Sequence, residues 1–518
     1  MSKLPLLTLL TFWPMFGALV LAGLDRASAR LVRGLAIGIS LAALGLAAGI
    51  WVGFDPGKTT LQYVERHEWI PALGVQYFVG IDGLGMLLVL LTAVVTPFAL
   101  AASDPGGTNV RLYYALTSLL QCGLFGTFTA LNFGHWFIFW ELSLIPAFFL
   151  IRLWGGPGRV EAATQFFIYT LAGSVAMLLA FQAIFLATGT FDFIELADWG
   201  SGGSQASDLT ARVGWLDLSK HWIVMLVFAG VFLGFAVKVP IIPFHIWLPA
   251  AYAEAPTGTA MIMTGVMSKM GIYGLLRILL PIFPQQTRMV LLPLLALAVV
   301  TIVYAAWTAL AQRDLKRLLA YSSINHLGYC LLGLFAAMKA TNGDAVWLNE
   351  KAAALNGVLL QMFNHGITAP ALFCFVGYLE ARSQGRRGLD DFGGLRQRAP
   401  VLCGLMGVAL FASLGLPGLN GFIGEFLVFK GAFALTPILT AAAALGLLLT
   451  AIFMLNILQR VFSGPLPEKW AGWPDLTAGE RWTVAPVLGL MLSVGLYPAW
   501  VLDWVNPTVV QLVARFNF

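Results

Sequence analysis

The sequence predicts an all-α integral membrane protein with about 14 transmembrane helices. Of its 518 residues, 59% are hydrophobic and only 11% are charged, whereas soluble proteins carry about 25% charged residues. Apolar runs long enough to cross a bilayer recur along the whole chain. Two of these runs are long and are interrupted by proline and glycine. Little of the chain is therefore left for a soluble domain.

The apolar runs define the predicted helices. In the first half of the chain they lie near residues 4 to 24, 31 to 53, 82 to 102, 111 to 131, 133 to 152, 161 to 188 and 221 to 252. In the second half they lie near residues 257 to 281, 288 to 310, 316 to 338, 352 to 381, 399 to 432, 435 to 462 and 482 to 506. The first run has no basic lead-in and no clear cleavage site, so we expect a retained helix and not a signal peptide.

The two interrupted runs predict discontinuous helices. Gly234 to Pro249 reads GFAVKVPIIPFHIWLP, and Phe411 to Phe426 reads FASLGLPGLNGFIGEF. Proline removes a backbone donor, and such breaks are tolerated in a membrane where the backbone lines a cavity or is buried in protein. An odd number of spans separates the two breaks, which predicts two inverted five-helix repeats.

The repeats suggest a division of the chain into four parts. The expected parts are 1–105 with the N-terminal helices, 106–285 with the first repeat, 286–465 with the second repeat, and 466–518 with the C-terminal helix.

Basic residues indicate how the chain is threaded, because short cytoplasmic loops retain Lys and Arg. With the N-terminus outside, the cytoplasmic loops carry roughly 17 basic residues and the opposite loops roughly 10. The cytoplasmic set includes Arg26, Arg30, Arg33, Arg152, Arg159, Arg313, Lys316, Arg317, Arg382, Arg386, Arg387, Arg396 and Arg398. The net charge of +5 is therefore attributed to basic residues that concentrate in the cytoplasmic loops. No nucleic-acid partner is expected.

Three ionisable side chains fall inside predicted spans, where an unpaired charge costs several kcal/mol. Glu141 lies about eight residues, or 12 Å, from either end of its helix. Lys238 directly precedes Val239 and Pro240, where the break leaves carbonyls without partners in the helix. Lys269 lies about 18 Å along its helix, too deep to reach the surface easily. Proton transfer is the functional interpretation of each, and a buried structural contact is the alternative.

Two histidines and a second acid extend this set. His326 in AYSSINHLGY and His365 in QMFNHGITAPALF lie in consecutive predicted helices among polar neighbours. Imidazole can take a proton on one nitrogen and release one from the other, which suits a hydrated relay, although a packing role is the alternative. Glu425 follows the second break and is expected either as the exit-side acid or as a partner of Lys430, which could instead reach outward.

Other polar residues have plainer interpretations. His245 and Glu254 lie beyond the first break and could form an uptake path, although capping and interfacial anchoring explain them equally well. His67 and His135 are expected in loops or at the interface. No Gly-rich phosphate loop, CxxC pair or cluster of metal ligands occurs, so no nucleotide, iron–sulfur, haem or metal site is expected on this chain.

Several of these segments together resemble the antiporter-like subunits of respiratory complex I. In chain order they are VKVPIIPFHIWLP, SKMGIYGLLRI, RDLKRLLAYSSINHLGY, QMFNHG and SLGLPGLNGFIGEF. The resemblance covers most of the chain. LDDFGGL together with the last segment is most similar to the chain-four branch of NADH:quinone oxidoreductase.

The resemblance implies a role for each buried ionisable residue. It implies that Glu141 and Lys238 form a pair, that Lys269 is the central relay and that Glu425 is the exit-side acid. His326 and the histidine at 365 match the family's connecting histidines. NADH, flavin, iron–sulfur clusters and quinone are expected on partner subunits, and no cofactor is expected on this chain.

The sequence departs from the family pattern after WLP. Many relatives carry an acid and a histidine there, where this sequence has Ala250 and Tyr252. Glu254 could serve as the cytoplasmic carboxylate, or the departure could indicate a complex with a different electron donor.

Three functions compete. The first is a proton-translocating subunit of NADH:quinone oxidoreductase, with other membrane subunits, the lipid bilayer and protons as its partners. It would lie in a bacterial inner membrane or an energy-transducing organellar membrane, with the N-terminus on the periplasmic or equivalent side. The second is a subunit of a multi-subunit cation/proton antiporter or a membrane-bound hydrogenase, and the third is a passive scaffold whose buried charges serve helix packing.

Overall fold

The computed structural model describes residues 4–24, 28–106, 109–213 and 219–516. The first helices are α1 (Leu6–Gly23), α2 (Ala29–Val52), α3 (Gly83–Ala102), α4 (Val110–Thr129), α5 (Phe133–Trp154), α6 (Arg159–Thr188), α7 (Phe193–Ser201), α8 (Gln205–Val213), α9 (Lys220–Lys238) and α10 (Trp247–Glu254). The next are α11 (Thr257–Ile262), α12 (Lys269–Gly274), α13 (Leu280–Ile282), α14 (Pro284–Met289), α15 (Leu291–Ala311), α16 (Leu315–Ala337) and α17 (Ala345–Arg382). The last are α18 (Pro400–Ser413), α19 (Asn420–Leu435), α20 (Pro437–Phe462), α21 (Ala478–Leu496) and α22 (Ala499–Phe516). Two strands, β1 (Gln62–Ile70) and β2 (Val75–Ile81), separate α2 from α3.

The predicted helical membrane fold is confirmed. Within the described ranges, 11 helices are long and apolar enough to cross a membrane, or 12 if α21 and α22 count as one bent span. The other two predicted spans correspond to α4 and to the pair α18 and α19. The last predicted span, 482 to 506, is bent by 69° at Pro498, which cannot continue the backbone hydrogen bonds of a helix.

Both discontinuous helices occur where the sequence predicted them. α9 ends at Lys238 and α10 begins at Trp247, and the second break runs from the end of α18 to the start of α19. At the first break the indole of Trp247 donates to the carbonyl of Val237 at 3.0 Å. The N–H of Ile241 donates to the carbonyl of Ala236 at 2.9 Å. The Val237 carbonyl therefore accepts from an indole and the Ala236 carbonyl from a backbone amide.

The helix from Thr257 to Ile282 changes its winding twice. Met263–Met267 and Leu275–Leu279 are π-helical, and α12 lies between them. A π turn holds one residue more than an α turn and is frequent at functional sites. Every residue of this segment except Thr257 and Arg277 is buried, and Lys269 begins its central part.

Glycines allow α17 and α19 to approach each other closely. A Cβ at Gly357 of α17 would lie 2.4 Å from the backbone nitrogen of Val428 in α19. A Cβ at Gly431 would lie 2.5 Å from the carbonyl of Glu350. Since these neighbours are backbone atoms that cannot move aside, only glycine allows α17 and α19 to pack at this distance.

The two ends of the bundle differ. The hairpin end carries β1 and β2, an antiparallel pair whose Glu65 carboxylate accepts a hydrogen bond from the N–H of Leu7 at 2.9 Å. The basic end carries the loop 383–399 and the N-terminus of α16. The hairpin was not predicted from the sequence. Arg26, expected in a basic loop, lies outside the described residues.

Candidate proton-transfer site

Lys269 is fully buried in the centre of the bundle. Its ammonium donates to the carbonyl of Thr264 at 2.6 Å and to the hydroxyl of Ser268 at 3.1 Å. Its third contact is Nδ1 of His365, at 2.7 Å. The ammonium has three protons to donate, and each of them has a partner. The π-helical turn before Lys269 is what brings the Thr264 carbonyl, five residues earlier, within reach of its side chain.

A row of ionisable groups continues from Lys269. The rings of His365 and His326 have centroids 5.2 Å apart. Nδ1 of His326 lies 3.1 Å from Oε1 of Glu425. All four side chains are buried, with exposed fractions of 0% to 7%. The structure thus brings four of the six predicted site residues into one row, contributed by α12, α17, α16 and α19.

A small cavity lies beside this row. It is lined by His326, Gln361, Asn364, His365, Thr368, Ala412, Ser413, Gly421 and Glu425. A polar cavity of this kind can hold about one water molecule. Among the hydrogen bonds of the described residues, none joins the two imidazoles directly, and a water molecule in this cavity would bridge them.

Gln361 belongs to this site, although the sequence analysis did not select it. Its amide nitrogen lies 3.3 Å from Nδ1 of His326 and 3.2 Å from Oε1 of Glu425. When Nδ1 of His326 carries a proton, it can donate to Glu425; when it does not, it can accept from the Gln361 amide. Gln361 precedes His365 by four residues and so lies on the same face of the helix. This spacing is the feature of the sequence that could have identified it.

The second helix break closes the site on one side. Ser413, the last residue of α18, has its hydroxyl 3.3 Å from Nε2 of His326. The amides of Asn364 and Asn420 each donate to the other's backbone carbonyl, at 2.5 and 3.2 Å. Gly415 lies in the break with φ +78°, and a Cβ there would lie 2.8 Å from Oε2 of Glu425. The break therefore supplies polar groups and close backbone approach around His326 and Glu425.

Glu141 and Lys238 form a second group. Lys238 is buried, with its ammonium 5.0 Å from the centroid of the Trp140 ring. Glu141 is half-buried on α5, and its Oε1 has no hydrogen-bond partner. Its carboxyl group contacts Ser174 and lies within electrostatic range of Lys238. Among the described residues, no ion pair joins Glu141 and Lys238, which would require a nitrogen-to-oxygen distance of 4.0 Å or less.

The two groups meet through backbone contact. A Cβ at Gly271, two residues after Lys269, would lie 3.0 Å from the backbone nitrogen of Val239, next to Lys238. In the part of the chain that the structure describes, no side-chain hydrogen bond of Lys238 links it to Lys269. The site therefore consists of a connected row and a separate pair, held against each other by close helix packing.

Several residues lie elsewhere than expected. Lys430 pairs with Glu350 at 2.8 Å and not with Glu425. His135 was expected in a loop or at the interface, but it is buried and neither ring nitrogen has a hydrogen-bond partner. Lys316 was counted among loop residues, but it is buried and pairs with a glutamate of α17 at 2.7 Å. Within the described ranges, no three His, Cys, Asp or Glu residues cluster as a metal site would require.

Comparisons with known proteins agree with this architecture. The family model described as NADH:quinone oxidoreductase/Mrp antiporter, transmembrane, matches residues 130–452. NADH-quinone oxidoreductase subunit M of Rhodobacter capsulatus is 35% identical, over 99% of this chain and 97% of that protein. F(420)H(2) dehydrogenase subunit M of Methanosarcina mazei is 37% identical, over 92% of each.

Solved structures show the same fold. A chain of respiratory complex I from Thermus thermophilus superposes with a TM-score of 0.84 at 29% identity, over 99% of this chain and 100% of that one. A chain of the Mrp complex from Dietzia superposes with a TM-score of 0.81 at 19% identity, over 99% and 98%, a likeness of fold alone. The chain is therefore a multi-pass membrane protein that belongs to the NADH:quinone oxidoreductase/Mrp antiporter membrane family.

Proposed function

We propose that this chain is the proton-translocating membrane subunit of an NADH:quinone oxidoreductase. The observation that carries the proposal is the buried row from Lys269 through His365 and His326 to Glu425, with its two direct contacts of 2.7 and 3.1 Å. The full path uses Glu141, Lys238, Lys269, His326, His365 and Glu425. A buried lysine, two imidazoles and a carboxylate are groups that can each gain and lose a proton in turn.

In this proposal the proton moves along the row from Lys269 towards Glu425. A proton leaves the Lys269 ammonium for His365, crosses to His326, and is accepted by Glu425 on the second discontinuous helix. Loss of the proton leaves Lys269 neutral and able to accept another. Lys238 and Glu141 act on this step through their charges, because the end of the helix that carries Lys238 packs directly against the helix that carries Lys269.

Electron transfer takes place on partner subunits in this proposal. Those subunits hold NADH, flavin, iron–sulfur clusters and quinone, and this chain holds none of them. The donor itself is open to test, because relatives of similar identity are named for NADH and for F(420)H(2). Purifying the assembled complex and identifying its subunits distinguishes the two donors, and hydrogenase subunits beside this chain would favour the alternative assembly.

The orientation is part of the same proposal. The basic end faces the cytoplasm and the hairpin end faces the periplasm or the equivalent compartment, as the bias in basic residues favours. The N-terminus then lies on the outer side of a bacterial inner membrane or an energy-transducing organellar membrane. The division into parts 1–105, 106–285, 286–465 and 466–518, with two inverted repeats, is supported by one helix break in each central part.

The decisive experiment measures proton pumping in sealed vesicles that contain the whole complex. Lys238→Ala, Lys269→Ala and Glu141→Gln should each lose pumping while native gels show normal assembly. Lys430→Gln is the matched control, because Lys430 is 44% exposed and pairs outside the row. Normal pumping in all three variants would refute the proposal. Loss of assembly would favour the scaffold, and sodium-dependent transport would favour a cation/proton antiporter.

A further inference from the structure

The Lys238 ammonium has few partners for a buried charge. The residue is only 3% exposed. Within the described ranges its side chain has two interactions, one with the face of the Trp140 ring and one, through charge alone, with Glu141. The nearby carbonyl of Val237 already accepts from the indole of Trp247 at 3.0 Å. A buried ammonium needs a source of negative potential, and here the group in contact with it is an aromatic ring.

The Trp140 ring is suited to hold a cation. The ammonium lies over the ring at 5.0 Å from its centroid, and a cation within about 6 Å of a ring face is attracted by the negative potential there. Tryptophan attracts cations more strongly than tyrosine or phenylalanine does. The ring is packed against Trp136 and Phe235, with centroids 4.8 and 5.8 Å apart. It therefore offers Lys238 a rigid contact surface.

The indole nitrogen of the same side chain acts on Glu141. It donates to the hydroxyl of Ser174 at 3.0 Å, and that hydroxyl contacts the Glu141 carboxyl group. Because the Ser174 oxygen accepts from the indole, its own proton is free to be donated to the carboxylate. Trp140 therefore acts on both members of the pair. Its ring holds the cation, and its N–H orients the hydroxyl that holds the acid.

This arrangement keeps Glu141 and Lys238 apart. The four-carbon stem of a lysine is flexible and gives its ammonium a choice of positions. An acceptor is available, because Oε1 of Glu141 has no hydrogen-bond partner among the described residues. No ion pair at 4.0 Å or less nevertheless joins the two in the described part of the chain. The ring and the Ser174 hydroxyl account for the separation.

The separated charges lie against the helix that carries Lys269. A Cβ at Gly271 would lie 3.0 Å from the backbone nitrogen that follows Lys238. One turn after the tryptophan, the hydroxyl of Ser143 lies 3.6 Å from the sulfur of Met270. Opposite charges in direct contact largely cancel each other's potential at a distance, whereas separated charges do not. The separation therefore strengthens the effect of Lys238 on its neighbour.

We propose that Trp140 is the positioning residue of this pair: it holds the Lys238 ammonium on its ring and, through Ser174, holds the Glu141 carboxyl group away from it. The proposal rests on the function proposed above. Trp140 itself transfers no proton, because an indole is a hydrogen-bond donor only. Without the ring, the ammonium pairs directly with Glu141, its effect on Lys269 weakens, and proton transfer along the row slows.

Substitution of Trp140 tests the proposal in the whole complex in sealed vesicles. Trp140→Leu should lower pumping at least about threefold, with normal assembly on native gels. Trp140→Phe keeps a ring that attracts cations less strongly, so its pumping should lie between those of the wild type and the leucine variant. Trp136→Phe is the matched control, because Trp136 is a buried tryptophan of the same helix whose indole has no hydrogen-bond partner among the described residues. It should pump at the wild-type rate.

Fluorinated tryptophan separates the charge distribution of the ring from its packing. Fluorine withdraws electrons from the ring face, while the shape of the side chain and its N–H are nearly kept. Incorporated in a tryptophan-auxotrophic host, it should lower pumping of the unsubstituted complex at least about twofold more than that of the Trp140→Phe complex. In the second complex, position 140 cannot carry the label. A residue that only fills space predicts the same effect in both complexes.

The outcomes separate Trp140 from the function. Loss of pumping in Lys269→Ala with wild-type pumping in Trp140→Leu would overturn the positioning role and leave the function standing. An equal effect of fluorination on both labelled complexes would also overturn it. Wild-type pumping in Lys269→Ala would overturn the function itself. Should Trp140→Leu fail to assemble, the fluorinated complex decides, because it keeps the indole in place.

Discussion

Nζ of Lys269 lies 2.7 Å from Nδ1 of His365, across the contact between two helices that are 96 residues apart in sequence. A lysine amine and an imidazole are both groups that can gain and lose a proton. Because Lys269 also contacts Thr264 and Ser268 and the His365 ring lies beside that of His326, the contact is one step of a longer connection and not an isolated packing feature. The predictions below test that connection and the packing that holds it.

Lys269→Arg should abolish pumping although it preserves the positive charge. A guanidinium does not release its proton at physiological pH, so it cannot take part in transfer. Vesicle pumping should fall to about a tenth or less, with assembly checked on native gels. Lys269→Met is the control for size, because methionine is close in size to lysine and cannot carry a proton. The same loss of pumping in this variant would show that the added bulk of arginine is not the cause. An assembled arginine variant that pumps at the wild-type rate would contradict the relay role.

Gln361→Leu should slow pumping without stopping it. The substitution removes the amide that contacts both His326 and Glu425, but the direct 3.1 Å contact between those two remains. Glu425→Gln, which removes the acceptor, should be far more severe. Initial pumping rates of the two assembled variants provide the comparison. Equal loss in both would mean that the amide is itself indispensable to transfer.

Gly357→Ala should destabilise the protein, because the added Cβ would lie 2.4 Å from the backbone of α19. We expect a loss of about 1 to 3 kcal/mol from overpacking. Gly404→Ala is the control, since a Cβ at this helical glycine meets nothing within 4 Å. Thermal unfolding of the purified complex measures both. A control that unfolds as early as Gly357→Ala would show that the effect is not specific to the α17–α19 contact.

Asp82→Asn should also destabilise the protein. Asp82 pairs with Arg277 at 2.5 Å, and both side chains are largely buried. Breaking such a pair leaves a buried charge uncompensated and costs about 3 to 5 kcal/mol. Asp198→Asn affects an exposed pair with Arg515 at 4.0 Å, which is worth about 0 to 1 kcal/mol. Similar melting temperatures for the two variants would contradict the prediction that the buried pair contributes more to stability than the exposed pair.

The membrane spans could be predicted because hydrophobic length is a local property of the sequence. The helix breaks were predictable for the same reason, since proline and glycine alter the backbone conformation at their own positions in the sequence. Lys269 and Glu425 were found because charged residues are rare within spans. These features need no knowledge of which helices are neighbours.

Other features depend on tertiary contacts. The strands β1 and β2, of nine and seven residues, are too short to be found in a search for membrane-spanning helices, and only their pairing defines them. Lys316 resembles a loop residue until α17 brings a glutamate to it. Gln361 becomes informative only when His326 and Glu425, on two other helices, are placed beside it. Sequence spacing within one helix cannot supply that information.

The π-helical turn before Lys269 makes the length of this segment as important as its composition. Since a π turn holds one residue more than an α turn, deleting one residue between Met263 and Met267 would leave an ordinary α turn, with the helix beyond it still in register. Lys269 would keep its place beside His365, but the local widening that lets the Thr264 carbonyl accept from its ammonium would be lost. A variant with all six ionisable residues intact would then hold its central lysine with one hydrogen bond fewer.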